Sequence, residues 1–183
     1  MSRRLLAVLL ALAAPSWAAE TKAPSPSKAI SAVVRFSAPK GWRPEAYANG
    51  ADPVFAFVSG EDRIVVRVFG APGSAYADPA AFLSGAAAST MGRPPEKAGE
   101  ATVTGRRTTL YQRGFPVSLG DPHIPSGRQQ VLGREIFVVL PPRKGRFAVL
   151  SYARESPAPD LERTGEKAWE AFLKTVKSPG RKT

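Results

Sequence analysis

Two runs of alternating apolar residues, joined by a short turn, constrain the fold of this chain more than any other feature. The runs are PVFAFV (53–58) and RIVVRVFG (63–70), and the SGED segment between them has the length of a hairpin connection. In the second run Ile64, Val66 and Val68 share one face, and Arg63 and Arg67 lie on the other. The pattern predicts two strands joined as a hairpin.

Further strands are predicted on both sides of this hairpin. The stretch 33–38 alternates in the same way, with Val34, Phe36 and Ala38 on the predicted inner side. Trp42 follows it, after a turn at Pro39 and Gly41, and is predicted to cover the edge of the core. Four later strands are predicted over 100–105, 106–112, 129–140 and 146–153. The last is apolar on both faces, which is typical of a central strand covered on both sides.

Two helices are predicted between and after these strands. Asp78 is a good N-cap and Pro79 suits the first helical position, so one helix should run from there to Gly92. The second should begin at Asp160 and carries an apolar stripe in which Trp169 is predicted to be core. The order predicts an α+β sandwich, a mainly antiparallel sheet of about six or seven strands flanked by two helices.

The N-terminus predicts export. Arg3 and Arg4 precede ten apolar residues and a small-residue cleavage site, so residues 1–18 are predicted to be a signal peptide. Ten residues are too few to span a bilayer, which needs about 20, so no transmembrane anchor is expected after cleavage. Residues 19–29 are predicted to be a disordered leader, 30–177 a single domain, and 178–183 a flexible tail.

Composition narrows the classes of partner. The chain has no cysteine, so an exported domain of this length must rely on a hydrophobic core rather than on disulfides. Without the signal peptide, 24 basic residues face 15 acidic ones, a formal charge of about +9. We expect a monomer that meets an anionic envelope component or an acidic protein. Nucleic acid becomes a candidate only if the protein is not exported.

The segments in order resemble a known family. The pieces RFSAPKGW, DPVFAFVSGEDRIVVRVF, TTLYQ, REIFVVLPPRKGRFAVLSYA and the final WEAFLKTVK look like the pattern of PsbP-like proteins over nearly the whole domain. The resemblance implies an antiparallel sheet flanked by helices, in a class of mostly non-enzymatic proteins that bind or help assemble larger complexes. It carries no catalytic motif, and no residue supports a photosystem role.

Few residues of the sequence suggest catalytic chemistry. His123 is the only histidine, and with no cysteine a zinc site would need carboxylates almost alone. No G-x-S-x-G elbow, P-loop or G-x-G-x-x-G is present. We therefore predict no catalytic residue, no metal and no cofactor. The alternative is a secreted hydrolase in which carboxylates or His123 meet only in the folded chain.

Two features are candidates for binding. Arg35, Arg63 and Arg67 would share a polar face if their strands were neighbours in register. The segment 113–128 is long for a loop in a compact domain and contains Phe115 and His123. The sequence therefore predicts an exported, non-enzymatic binding or accessory protein that uses a basic surface or this loop to engage an anionic partner.

Overall fold

Seven strands and three helices make up the part of the chain that the structure describes. The structure, a computed structural model, describes residues 25–47, 51–90, 92–117, 131–154 and 164–180. The predicted signal peptide, His123 and Asp160 lie outside these residues. The elements are, in chain order, α1 (Lys28–Ser31), β1 (Arg43–Tyr47), β2 (Val54–Ser59), β3 (Asp62–Phe69), α2 (Pro79–Ser84), β4 (Glu96–Val103), β5 (Arg106–Val117), β6 (Val131–Val139), β7 (Phe147–Arg154) and α3 (Thr164–Thr175).

All seven strands form one antiparallel sheet with the order β1-β2-β3-β7-β6-β5-β4. The predicted hairpin is confirmed, because β2 pairs with β3 and Ser59 lies opposite Asp62 at the turn. The predicted central strand is confirmed as well. β7 is the fourth of the seven strands, and its first six residues are buried.

The predicted strand over 33–38 is wrong. Ile30, Val33 and Val34 are all buried, at helical rather than alternating spacing. The Ser27 hydroxyl accepts a hydrogen bond from the Ile30 amide and caps the single turn of α1. The chain then forms only an isolated bridge, between Arg35 and Lys177.

The first strand of the sheet is β1, which the sequence did not reveal because RPEAY has no apolar alternation. It forms one edge and contains Pro44, a residue that sheets accept at edges. β4 forms the other edge, with a register shift between Lys97 and Gly99. Trp42, just before β1, is partly buried and packs against the core, as predicted.

The first predicted helix is much shorter than expected. It is capped by Asp78 and begins at Pro79, as predicted, but it ends at Ser84 instead of near Gly92. At Gly85 the backbone runs so close to Tyr76 that a Cβ would collide with the tyrosine ring. The Tyr76 hydroxyl accepts a hydrogen bond from the Ala87 amide and fixes the non-helical chain that follows.

The β4–β5 connection is a two-residue turn. Thr104 and Gly105 both have positive φ, 54° and 76°, as the type I′ turn of a tight hairpin requires. β5 then continues to Val117, so the first five residues of the predicted 113–128 loop are strand. Residues 118–128 lie outside the described part of the chain.

Both faces of the sheet are packed. On one face α3 covers a cluster that includes Phe55, Phe57 and Phe172, with the Phe36 ring 5.6 Å from that of Phe172. Trp169 is 3% exposed, so its predicted place in the core is confirmed. On the other face Phe82 of α2 packs within a second aromatic cluster. The fold is α+β, with three helices in the described chain rather than the predicted two.

The start of α3 is held by a contact that only glycine permits. The Tyr152 hydroxyl donates a 2.7 Å hydrogen bond to Asp62 Oδ1. A Cβ on Gly165 would lie 2.5 Å from that hydroxyl and 2.6 Å from the Asp62 carboxylate. The ring of Tyr152 also stacks on Trp169, with centroids 6.5 Å apart. The position of α3 therefore depends on this glycine.

We expect Gly165→Ala to lower the free energy of unfolding by about 1–3 kcal/mol, because the new methyl group collides with two fixed polar groups. Alanine in place of glycine within a helix normally stabilises by about 0.5–1 kcal/mol, so the sign itself is informative. Denaturant unfolding measures the change. Lys167→Ala, at an exposed position of the same helix, is the control and should change stability by less than about 0.5 kcal/mol. If Gly165→Ala raised the free energy of unfolding, the close approach of Tyr152 and Asp62 to Gly165 would be contradicted.

We expect Tyr152→Phe to destabilise by about 1.5–3 kcal/mol at neutral pH, because it removes a hydrogen bond to a charged group. Burial, and then the hydrogen bond to Asp62, raise the pKa of Tyr152 well above 10. The unfolded chain releases this proton near pH 10 while the folded chain keeps it. The stabilisation is thus complete below about pH 10 and declines above it. The stability curves of wild type and variant, measured between pH 8 and 11, should converge; parallel curves would disprove the assignment.

Candidate functional site

Six basic residues gather at one end of the sheet, where two hairpin turns meet the ends of α1 and α3. We call this surface the basic end. The turn before β5 and the turn before β7 both lie here, and the chain after α3 joins them through the bridge between Arg35 and Lys177. The basic end consists of Arg35, Arg106, Arg143, Lys144, Arg146 and Lys177.

The charges of the basic end are not neutralised by the described chain. Five of the six residues are exposed, and Arg146 is half-buried. None of the six forms an ion pair with any described acidic residue. Other arginines do pair, as Arg107 does with Glu100 at 2.8 Å. The basic end is therefore a concentrated source of positive potential.

A depression of about 310 Å³ lies within the basic end. Arg106 and Arg143 line it from the two turns, and Thr104 and Ser178 add hydroxyl groups. No acidic residue is among its described lining residues. Guanidinium groups present planar sets of N–H donors that match carboxylate and phosphate oxygens. The chemistry of this depression suits an anion.

A larger groove of about 740 Å³ lies between α3 and the β4–β6 side of the sheet. Its floor and inner wall are apolar, from Ala101, Leu110 and Ile136 of the sheet and Trp169 and Leu173 of the helix. This volume is within the usual range of small-molecule sites. The α3 groove, as we call it, exists because α3 crosses the sheet without covering β4 completely.

Charged residues of α3 are separated along the groove. Glu166 and Glu170 lie towards the start of the helix, and Lys174 and Lys177 lie at and beyond its end. Glu170 and Lys174 are one turn apart, yet they form no ion pair within 4.0 Å in the described structure. The groove and the depression share Thr104 and Ser178, so the two are adjacent.

The structure separates the three arginines that the sequence placed together. Arg63 and Arg67 share one face of β3, as the alternation predicts. Arg35 is not on a neighbouring strand, because the neighbours of β3 are β2 and β7. It lies at the basic end instead. The assumption of adjacent strands failed together with the predicted strand over 33–38.

Arg63 lies near a polar group on β1. Glu45 accepts hydrogen bonds from Arg43, at 2.7 Å, and from the Tyr47 hydroxyl. The hydrogen bond to Glu45 raises the pKa of Tyr47, and the nearby positive charge of Arg63 lowers it.

Of the two other predicted binding residues, Phe115 lies in β5 opposite Gly133, and His123 lies outside the described residues.

A sequence signal for the basic end does exist in retrospect. In an antiparallel meander, every second turn lies at the same end of the sheet. The turn at 104–105 and the turn over 140–146 are two such turns, and basic residues follow or occupy both. The contribution of Arg35 and Lys177 could not be found this way, since it depends on a bridge between chain segments 142 positions apart.

A buried ion pair lies on the sheet face opposite α3. Arg113 Nε is 2.5 Å from Glu135 Oε2, and the two side chains are 18% and 7% exposed. Arg113 also donates to the carbonyl of Ser89, which ties the segment after α2 to the sheet. This arginine lies in the predicted 113–128 binding segment, and the structure gives it a stabilising contact.

We expect Arg113→Ala to destabilise the protein by about 3–5 kcal/mol, because Glu135 would keep a buried and unpaired charge. Arg107→Ala breaks the exposed pair with Glu100 and is the matched control, expected to cost less than about 1 kcal/mol. Urea unfolding of both variants tests the difference. Equal losses would show that Glu135 is better solvated than its burial indicates.

The described chain has no cluster of metal-binding side chains and no helix that could span a membrane. Among residues 25–47, 51–90, 92–117, 131–154 and 164–180, no three His, Cys, Asp or Glu residues are close enough to hold a metal ion. None of the helices described above has the length and apolar character needed to cross a bilayer.

Comparison with known proteins gives no assignment. No protein-family model matches the chain, and no curated protein matches it either. The basic end and the α3 groove are therefore the features from which a function can be inferred.

Proposed function

We propose that this chain is an exported, non-enzymatic binding or accessory protein of the cell envelope that engages an anionic partner through its basic end. The observation that carries the proposal is the gathering of six basic residues, without ion-pair partners in the described structure, at one end of the sheet, where Arg106 and Arg143 line a depression. Opposing acidic groups would be the natural complement of such a surface.

Clustering is what gives these charges their effect. Exposed charges farther apart than about 8–10 Å are largely screened at physiological salt, so a scattered positive excess attracts weakly. Arg106 and Arg143 line the depression from two turns, and Lys177 lines the adjoining groove, which shares Thr104 and Ser178 with it. They can therefore act together on a single anionic surface or group.

Export is the second element of the proposal. The paired arginines, the apolar run and the small-residue site in residues 1–18 support a signal peptide. An exported basic protein meets anionic lipid headgroups, acidic polysaccharide or acidic proteins before it meets nucleic acid. The absence of a catalytic motif from the sequence favours binding over reaction.

A PsbP-like relationship is part of the same proposal. It is supported by the seven-stranded antiparallel sheet, by the β2–β3 hairpin within DPVFAFVSGEDRIVVRVF, and by the final helix that packs on the sheet. Such a relationship would agree with a binding or assembly role.

Binding to anionic vesicles tests the function. The triple variant Arg106→Gln, Arg143→Gln, Lys177→Gln should bind phosphatidylglycerol vesicles on the order of 100-fold more weakly than wild type. The reason is that each basic residue near an anionic membrane contributes roughly 1 kcal/mol. Co-sedimentation at low salt measures the affinity, and added salt should weaken it.

The matched control removes the same charge elsewhere. Arg93, Lys97 and Lys167 are exposed and lie towards the other ends of β4 and α3. Their change to glutamine should weaken binding only slightly. Equal losses in the two triple variants would show a diffuse charge effect. No binding by wild type at low salt, together with no partner recovered by crosslinking in cells, would refute the proposal.

A further inference from the structure

We propose that the α3 groove and the basic end together bind a single long-chain acyl group with an anionic head. The acyl tail would lie along Leu110, Ile136 and Trp169, and the head would meet Arg106 and Arg143. This inference rests on the proposed function, because the head would be an anionic group engaged by the basic end. The inference adds two points to the proposed function: the ligand is an acyl compound, and its tail occupies the α3 groove, which the basic charges alone do not indicate.

The dimensions of the groove suit one acyl tail. The groove follows α3 from Glu166 to the chain just after the helix. At 1.5 Å per residue, the nine steps from Glu166 to the end of α3 at Thr175 span about 14 Å, and the groove continues past that point. One leaflet of a bilayer contributes about half of a 30 Å hydrocarbon core, which is the depth that one acyl tail occupies.

The lining of the groove suits hydrocarbon. Leu110, Ile136 and Ala101 are only half-buried, on the sheet face whose buried core lies against α3. Covering them with an acyl tail would remove apolar surface from water, at about 25 cal/mol per Å². Trp169 forms the inner wall and is held by Tyr152 and Phe172, with ring centroids at 6.5 and 6.0 Å. The wall is thus formed by packed rings of the protein itself.

The position of the head follows from charge. At the end near Glu166 and Glu170, an anionic head would meet two carboxylates, and it would be repelled. At the other end the groove meets the depression through Thr104 and Ser178, where Arg106 and Arg143 have no acidic partner among the described residues. Only one orientation satisfies both ends.

The basic groups must come from the sheet turns, because the helix itself disfavours an anion here. The last carbonyl groups of a helix carry partial negative charge. Lys174 in the last turn and Lys177 just beyond it offset that charge. Arg143 is held against the chain after the helix, since a Cβ on Gly180 would lie 3.1 Å from its guanidinium.

Equilibrium dialysis with radiolabelled palmitate tests the inference, using protein purified from cells that express the full gene and then delipidated. We expect one palmitate per chain. Octanoate, with the same head and a short tail, and hexadecanol, with the same tail and no charge, should each bind at least tenfold more weakly. Palmitoyl lysophosphatidylglycerol is run in parallel. Tighter binding of palmitate would identify a free carboxylate as the preferred head, and tighter binding of the lysolipid would identify a lipid phosphate.

Two groove variants separate this site from the charged surface. Ala101→Phe should fill the floor of the groove and weaken palmitate binding at least tenfold, while binding to anionic vesicles stays at the wild-type level. Ile136→Ser should weaken palmitate binding several-fold, because apolar contact is lost. This variant tests the groove if Ala101→Phe does not fold. Circular dichroism melting verifies folding.

The outcomes distinguish the two proposals. If wild type binds vesicles but neither palmitate nor the lysolipid, the groove inference is overturned and the proposed function stands. If palmitate binds but vesicle binding is absent, the groove inference stands without the membrane-surface role. Equal affinity for palmitate and octanoate, or palmitate binding that both folded groove variants retain, would also overturn the groove inference.

Discussion

The packing of α3 on the sheet is the interaction on which the rest of this structure depends. With no cysteine in the chain, stability must come from apolar burial, and the largest cluster lies beneath this helix. Trp169 and Phe172 join rings from the N-terminal segment, the β2–β3 hairpin and β7. The same packing brings Lys177 to Arg35 and leaves β4 partly uncovered. Both the basic end and the α3 groove are thus consequences of where one helix lies.

Much of the fold could be predicted because, in several segments, the spacing of apolar residues fits only one type of secondary structure. The two apolar runs of the β2–β3 hairpin are separated by a connection of hairpin length, and the residues of β7 are apolar on both faces, so their places in the sheet followed directly. Ile30, Val33 and Val34 fit both a strand and a helical turn, and the capping hydroxyl of Ser27 favoured the turn. β1 was missed because an edge strand needs no apolar face.

The candidate site was much less predictable than the fold. The basic end joins residues from position 35 to position 177, and no local motif connects them. The sequence indicates Arg35 as a candidate for binding. It groups this residue with Arg63 and Arg67 only if 33–38 is a strand beside β3, which it is not. The groove depends on how far a helix lies from an edge strand, which tertiary packing decides. Secondary-structure patterns do not contain that distance.

The two edge strands of the sheet affect the tendency of partly folded chains to aggregate. A large antiparallel sheet with many contacts distant in sequence forms slowly, and open edges could recruit other chains meanwhile. Pro44 lacks the amide hydrogen that strand addition uses, and the register shift at Lys97 and Gly99 interrupts the opposite edge. Each edge therefore carries its own protection against intermolecular pairing, so that slow folding does not have to compete with aggregation.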